Sequence, residues 1–252
     1  MRSRIILAVL GVVILFAGYR VIQRRQAGTA YFDTPLKVTT SDLGIDPGSN
    51  PPFHNQLICT YFRDFMVKEI VFDQPGDEQI SIVPGSASHS PTCQRANVSN
   101  EIVIDWSGSL EGVKTPYLFL AGDDSFGLLF PFAVFDARTG KKLFEDGITS
   151  KDLFESIEVK GAALTTRFKR VVQLQCSLLR DPRNDGAACW EKSRRELHLE
   201  MPMPDCSEAY RKDGPDTPDD PSDIAYDVRA EWDGLQFSVT PIGHSAICGA
   251  RP

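Results

Sequence analysis

Five aspartates crowd one short stretch, at Asp213, Asp216, Asp219, Asp220 and Asp223. Calcium takes six to eight oxygen ligands, mostly from carboxylates and carbonyls, so this is where a calcium ion would be sought. Pro215, Pro218 and Pro221 are interleaved with the acids. They keep the segment out of helix and sheet, and the bland counterpart of a calcium site is an acidic, solvated loop. A second set, Asp123, Asp124 and Asp136, falls near the ends of apolar runs. Two carboxyl groups about 5–9.5 Å apart are the machinery of glycoside hydrolysis, so these three are the catalytic candidates; aspartate is also an ordinary turn residue. A third stretch, Asp181 to Gly186, has the outline of an EF-hand loop. Arg183 stands where an oxygen ligand is needed and Lys192 where the bidentate glutamate belongs, which excludes it.

Nucleophiles and imidazoles give less. Gly243-His-Ser-Ala-Ile247 begins like a nucleophile elbow, but Ile247 replaces the closing glycine and only seven residues follow Ser245. An acid and a histidine cannot follow in the order that hydrolase fold requires. The segment reads instead as a C-terminal loop that positions Cys248. His54, His89, His198 and His244 form no metal-binding pair at helical spacing. Nothing in the spacing asks for a cofactor. Asn97-Val-Ser99 matches a glycosylation acceptor, relevant only in a eukaryotic secretory pathway.

The cysteines carry more information. Cys59, Cys93, Cys176, Cys189, Cys206 and Cys248 are even in number, and none forms a Cys-x-x-Cys pair. That spacing disfavours zinc ribbons and redox motifs and suits structural disulfides. Cys176 with Cys189 closes the shortest loop and is the expected pair among fifteen possible pairings. Disulfides persist in an oxidising compartment.

The N-terminus points the same way. Arg2 and Arg4 precede an apolar run from Ile5 to Gly18, extendable through Ile22 if Arg20 snorkels. Residues 1–25 therefore read as a signal-anchor or signal peptide, with residues 5–22 entering an inner membrane. Residues 26–56 are rich in Gly and Pro and read as a spacer, with a short edge strand expected from Tyr31-Phe32 and Leu36–Val38. Residues 57–252 form the folded body. Residues 1–30 hold five Arg and no acid, leaving 22 basic against 34 acidic side chains, a net −12, for the remainder. That balance argues against nucleic acid as a partner.

What must position these groups is mostly β-structure. Pro131 to Glu145 reads as a central hairpin turning at Asp136–Gly140, with Phe132, Val134 and Leu143 on one face and Phe135 and Phe144 on the other. Further strands are expected at 57–62, 65–72, 79–83, 101–106, 117–120 and 163–175, with a closing hairpin of 224–232 and 235–239 about Asp233-Gly234. Residues 151–159 fit a helical turn or a strand. Helices are expected at 187–199 and, after Asp205, through Arg211. The fold class is mainly β, a sandwich or rolled antiparallel sheet with one or two short helices, preceded by a transmembrane or signal helix.

Two resemblances follow from particular residues. Phe135-Asp-Ala-Arg-Thr-Gly-Lys-Lys-Leu-Phe144 resembles the strand-turn-strand repeat of quinoprotein β-propellers. It occurs once, whereas propellers need several blades, so it implies a shared hairpin and no quinone. The order Phe65-Met-Val-Lys-Glu69, Asp105-Trp-Ser-Gly108, the hairpin, Cys189-Trp190 and Asp205-Cys206 is similar to a group of uncharacterised cysteine-containing bacterial envelope proteins. That similarity implies export to the periplasmic side, anchored or released, and no particular activity. The expectation is an extracytoplasmic domain that binds or builds rather than catalyses, with a protein partner in the envelope. A carboxylate hydrolase and a calcium-stabilised module are the alternatives.

Overall fold

Alternating apolar residues and short turns give two antiparallel sheets. The computed structural model describes residues 31–45, 54–72, 78–85, 91–122, 128–149, 154–181, 184–213 and 220–250. The apolar run at 5–22 lies outside these residues, and no helix among them is long and apolar enough to cross a membrane. The first sheet is a five-stranded meander of β1 (Lys37–Ile45), β2 (His54–Tyr61), β3 (Phe65–Val71), β4 (Gln79–Pro84) and β5 (Ile102–Ile104). The second contains β6 (Gly108–Lys114), β7 (Tyr117–Gly122), β8 (Phe130–Asp136), β9 (Lys142–Ile148), β10 (Ser156–Lys160) and β11 (Ala163–Gln173). The two-residue strands β12 (Arg180–Asp181) and β13 (Asn184–Asp185) lead into helices α1 (Gly186–Glu196) and α2 (Ser207–Asp213). The chain then returns to the second sheet as β14 (Ser222–Trp232) and β15 (Phe237–Ala250). The strand order there is β15-β14-β11-β9-β8-β7-β6, with β10 on the remaining part of β11's edge.

β7 and the first strand of the central hairpin, β8, are buried on both faces. Leu118, Leu120, Ala133 and Phe135 meet Phe65, Val67, Ile80, Ile82 and Ile104 of the first sheet, which is the sandwich contact. On the other face Phe119 and Phe132 join Phe154 and Phe168, their rings edge-on at 5.1–5.3 Å. Each such buried ring contributes about 1.5–3 kcal/mol of transfer free energy, and edge-to-face pairing adds about 0.5–1.5 kcal/mol. Phe144 belongs to this face too, 5.8 Å from Phe132, and not with Phe135 as simple alternation predicts. The cause is a bulge: Val134 pairs with Phe144 but Phe135 with Lys142, so Leu143 is the extra residue and the alternation resets.

The first sheet also takes in residues expected to be spacer. β1 is longer than the strand expected at Leu36–Val38, and Tyr31 and Phe32 pack against the aromatic core. Phe32 lies on Gly112, where any Cβ would meet its ring at 2.4 Å. The outer face of this sheet is closed by the segment 91–101. Cys93 bonds Cys59 of β2, and Lys68 of β3 reaches outward to Glu101 at 2.6 Å. Glu101 also accepts from Ser81 Oγ at 2.6 Å and from Val98 N–H at 2.9 Å. Both side chains of the Lys68–Glu101 pair are under 5 % exposed (4 % and 3 %), so this is a desolvated ion pair with its remaining acceptor capacity satisfied. On the opposite face Glu69 accepts the Leu110 N–H, joining the two sheets.

All six cysteines are paired: Cys59–Cys93, Cys176–Cys189 and Cys206–Cys248. The first bridge lies wholly within the five-stranded sheet and its covering segment. The other two lie wholly within the C-terminal part that carries the helices, β14 and β15.

Candidate functional site

Of the carboxylates singled out by spacing, Asp136, Asp213, Asp220 and Asp223 lie among the described residues. Asp136 is a turn residue: its carboxylate accepts the Arg138 N–H and two guanidinium N–H groups of Arg138, the shortest at 2.8 Å. Burial acts to raise its pKa, but the Arg138 side chain and the turn N–H groups outweigh it and hold the carboxyl below its usual value. It is therefore a fixed anion, the opposite of a general acid. Asp123 and Asp124 lie outside the described residues. Of the acidic stretch, Asp216 and Asp219 lie outside them as well, and Asp213 ends α2. The Asp220 carbonyl accepts the Tyr210 hydroxyl. Asp223 is fully buried on β14, where its carboxylate takes the Leu128 N–H at 3.3 Å. No group of three His, Cys, Asp or Glu among the described residues could hold a metal.

Two histidines that spacing left unconnected line one cleft instead. α1 begins at Asp185, whose carboxylate caps the Ala188 N–H at 2.9 Å. It ends at Leu197 in a paired closure: Leu199 N–H donates to Arg194 C=O and His198 N–H to Arg195 C=O. This closure requires a left-handed residue one past the cap, usually glycine. Here it is His198, at φ 54°. The chain then runs extended, so Leu199 and Met201 turn inward while His198 and Glu200 stay exposed.

The facing wall is β15. Tyr226 pairs with Ala246 and Val228 with Pro241, so the four residues Ile242 to Ser245 stand opposite Asp227 alone. Gly243 makes the bulge feasible at φ 87°, a conformation strained for any residue with a Cβ. The Gly-His-Ser stretch is thus a strand irregularity rather than a terminal loop. Bulges redirect side chains at sheet edges, and this one turns His244 toward the end of α1.

Between the walls lies a cleft of about 480 Å³, lined by His198, Glu200, Met201, Val239, Pro241 and His244, among others. Its floor is apolar and its rim carries two imidazoles and one carboxylate. The three rim side chains are exposed and have no bonded partner among the described residues. Disulfides brace both walls. Cys176–Cys189 holds the first turn of α1, and Cys206–Cys248 ties the connector after Met201 to β15. Neither histidine was legible as a site residue, because 45 residues separate them (198 to 244) and no spacing rule spans that distance.

A second polar constellation lies on the aromatic face of the larger sheet. Arg170 Nε donates to Asp146 at 2.9 Å, beside the buried Tyr226. Burial raises the Asp146 carboxyl above its usual value, only partly offset by Arg170 and the Gly147 N–H. Burial likewise pushes the Tyr226 phenol up against the opposing pull of Arg170.

No protein-family model, curated protein or solved structure matches this chain.

Proposed function

We propose that the protein is a disulfide-stapled domain of the bacterial cell envelope, standing on the periplasmic side and either held by the apolar segment 5–22 or released from it. Its role is to bind a protein partner rather than to turn over a substrate. The observation that carries this reading is the pairing of every cysteine, six of six, in a domain whose described residues form two large antiparallel sheets, a two-stranded ribbon and two short helices. Such bridges are kept where the surroundings are oxidising and are rare in the cytosol. The half-open cleft, with its apolar floor and polar rim, supports binding as a place where a partner's side chain can dock.

Two measurements test it. Thiol titration of denatured, unreduced protein from its native host should find no reactive thiol; six would remove the compartment from the argument. Affinity capture from envelope extract, followed by mass spectrometry, should repeatedly return the same protein. Capture of nothing, together with release of sugar from cell wall, would replace binding with hydrolysis.

A further inference from the structure

We infer that the cleft between the end of α1 and the bulge of β15 receives a basic side chain, lysine or arginine, from a polypeptide partner. This rests on the binding reading and specifies its site. Glu200 offers a carboxylate at the rim, and His198 and His244 add ring nitrogens that accept hydrogen bonds when neutral. Met201, Val239 and Pro241 form an apolar floor suited to the methylene stem of such a side chain. The cations in the last turn of α1 are already engaged. Arg194 and Arg195 in the last turn of α1 both pair with Glu191. Asp227, beneath the bulge, pairs with Lys169. No unengaged cation stands at the rim among the described residues, so Glu200 sets the local sign.

The whole molecule agrees with that sign. Residues 31–252 carry a net −12, which steers a cationic partner toward the surface and repels an acidic one. The backbone supplies a second argument. His198 occupies a position where glycine is the favoured residue, so its side chain is kept at a conformational cost. Costs of this kind concentrate at binding sites.

The test uses the full-length protein in neutral detergent at pH 8, where an ordinary imidazole is uncharged. The probe is a fluorescent hexa-arginine peptide read by anisotropy, in about 0.15 M salt to screen diffuse attraction. Wild type should bind. Glu200→Gln should weaken binding at least 5-fold, while Glu208→Gln, on exposed α2 away from the cleft, should stay within 2-fold. His198→Gly should weaken binding while holding or raising the melting temperature, an outcome that loss of folding cannot produce. No binding, or equal losses in Glu200→Gln and Glu208→Gln, overturns the inference. If a captured envelope partner holds Glu200→Gln as tightly as wild type, the cleft assignment fails and the binding reading survives.

Discussion

Removing the charge of Glu101 tests the physics of the first sheet most directly. The Lys68–Glu101 pair is almost wholly desolvated, and Glu101 takes three donors: Lys68 Nζ, Ser81 Oγ and Val98 N–H. Glu101→Gln keeps one oxygen: with it toward the Val98 N–H, the new NH2 stands where Ser81 Oγ and Lys68 Nζ were bound, so the Ser81 hydroxyl must turn to accept from it, and Lys68 is left as a buried cation with only the Ala96 carbonyl at 3.4 Å. Breaking one side of a buried pair costs about 3–5 kcal/mol. For a domain of this size that corresponds to a fall in melting temperature of roughly 6–20 °C. Lys68→Met should cost a similar amount, because Glu101 then loses its counter-ion. The double variant should be less destabilised than the sum, with a coupling of about 2 kcal/mol or more. Urea titrations at pH 7 with the disulfides intact measure all four corners of the cycle. The pH dependence adds a sign. Burial raises the Glu101 pKa, but Lys68, Ser81 and the Val98 N–H outweigh it and the net shift is downward. The stabilisation is therefore present above the ordinary glutamate value and is lost as pH falls through the lowered folded value. The acid limb of wild type should be steeper than that of Glu101→Gln. A cost under about 1 kcal/mol, or strict additivity, would refute the claim that this pair holds the covering segment in place.

Other outcomes follow from single positions. Gly108→Ala should be among the most damaging small changes, since its Cβ would sit 1.9 Å from the Ala121 carbonyl oxygen at φ 141°. Gly161→Ala, with open space around it and φ 65°, should cost only about 1–2 kcal/mol; comparable midpoints for the two in urea would contradict this. Chain entropy gives about 4 kcal/mol for the Cys206–Cys248 bridge and about 3 kcal/mol for Cys176–Cys189, from separations of 42 and 13 residues. Paired Cys→Ala variants read by denaturant midpoint check the order. Asp146, raised mainly by burial, favours folding when protonated. That contribution is full below the ordinary aspartate value and lost as pH rises through the raised folded value. Asp146→Asn should flatten the stability profile in this window, and an unchanged profile would count against it.

The strongest local signals in the chain were those that needed no partner from afar. The Asp136–Gly140 turn, the Asp233-Gly234 hairpin and the helix expected from Ala187 are each written in a few adjacent residues. β6 carries no local strand signal because Gly-Ser-Leu-Glu-Gly-Val-Lys lacks β-branched alternation; its place is set by pairing with β7 and by Phe32 lying on Gly112. β15 runs well past the expected Val239, because its register with β14 resumes only after the four-residue bulge. Phe144 changed faces for the same kind of reason, one inserted residue resetting a period of two. The candidate site was the least visible part. Asp123, Asp124 and Asp136 attract attention as a cluster of acids in sequence, whereas the cleft brings together residues from a helix end and a distant strand. Lys68 and Glu101 likewise fall in runs that spell ordinary strands, since nothing local marks a charge as buried.

The placement of the three sulfur bridges has a consequence for how the molecule comes apart. None links the residues up to Ile104 with those from Gly108 onward. One protease cut between β5 and β6 would therefore yield two fragments that separate on a non-reducing gel, each still internally cross-linked. Before denaturation they would remain together through the apolar contact of the two sheets, the Glu69 bridge to Leu110, the packing of Tyr31 and Phe32 on the aromatic core, and the bonds of Asp33 to Val113, Thr115 and Lys114. The strength of that seam thus becomes a dissociation constant, open to measurement by mixing the two pieces.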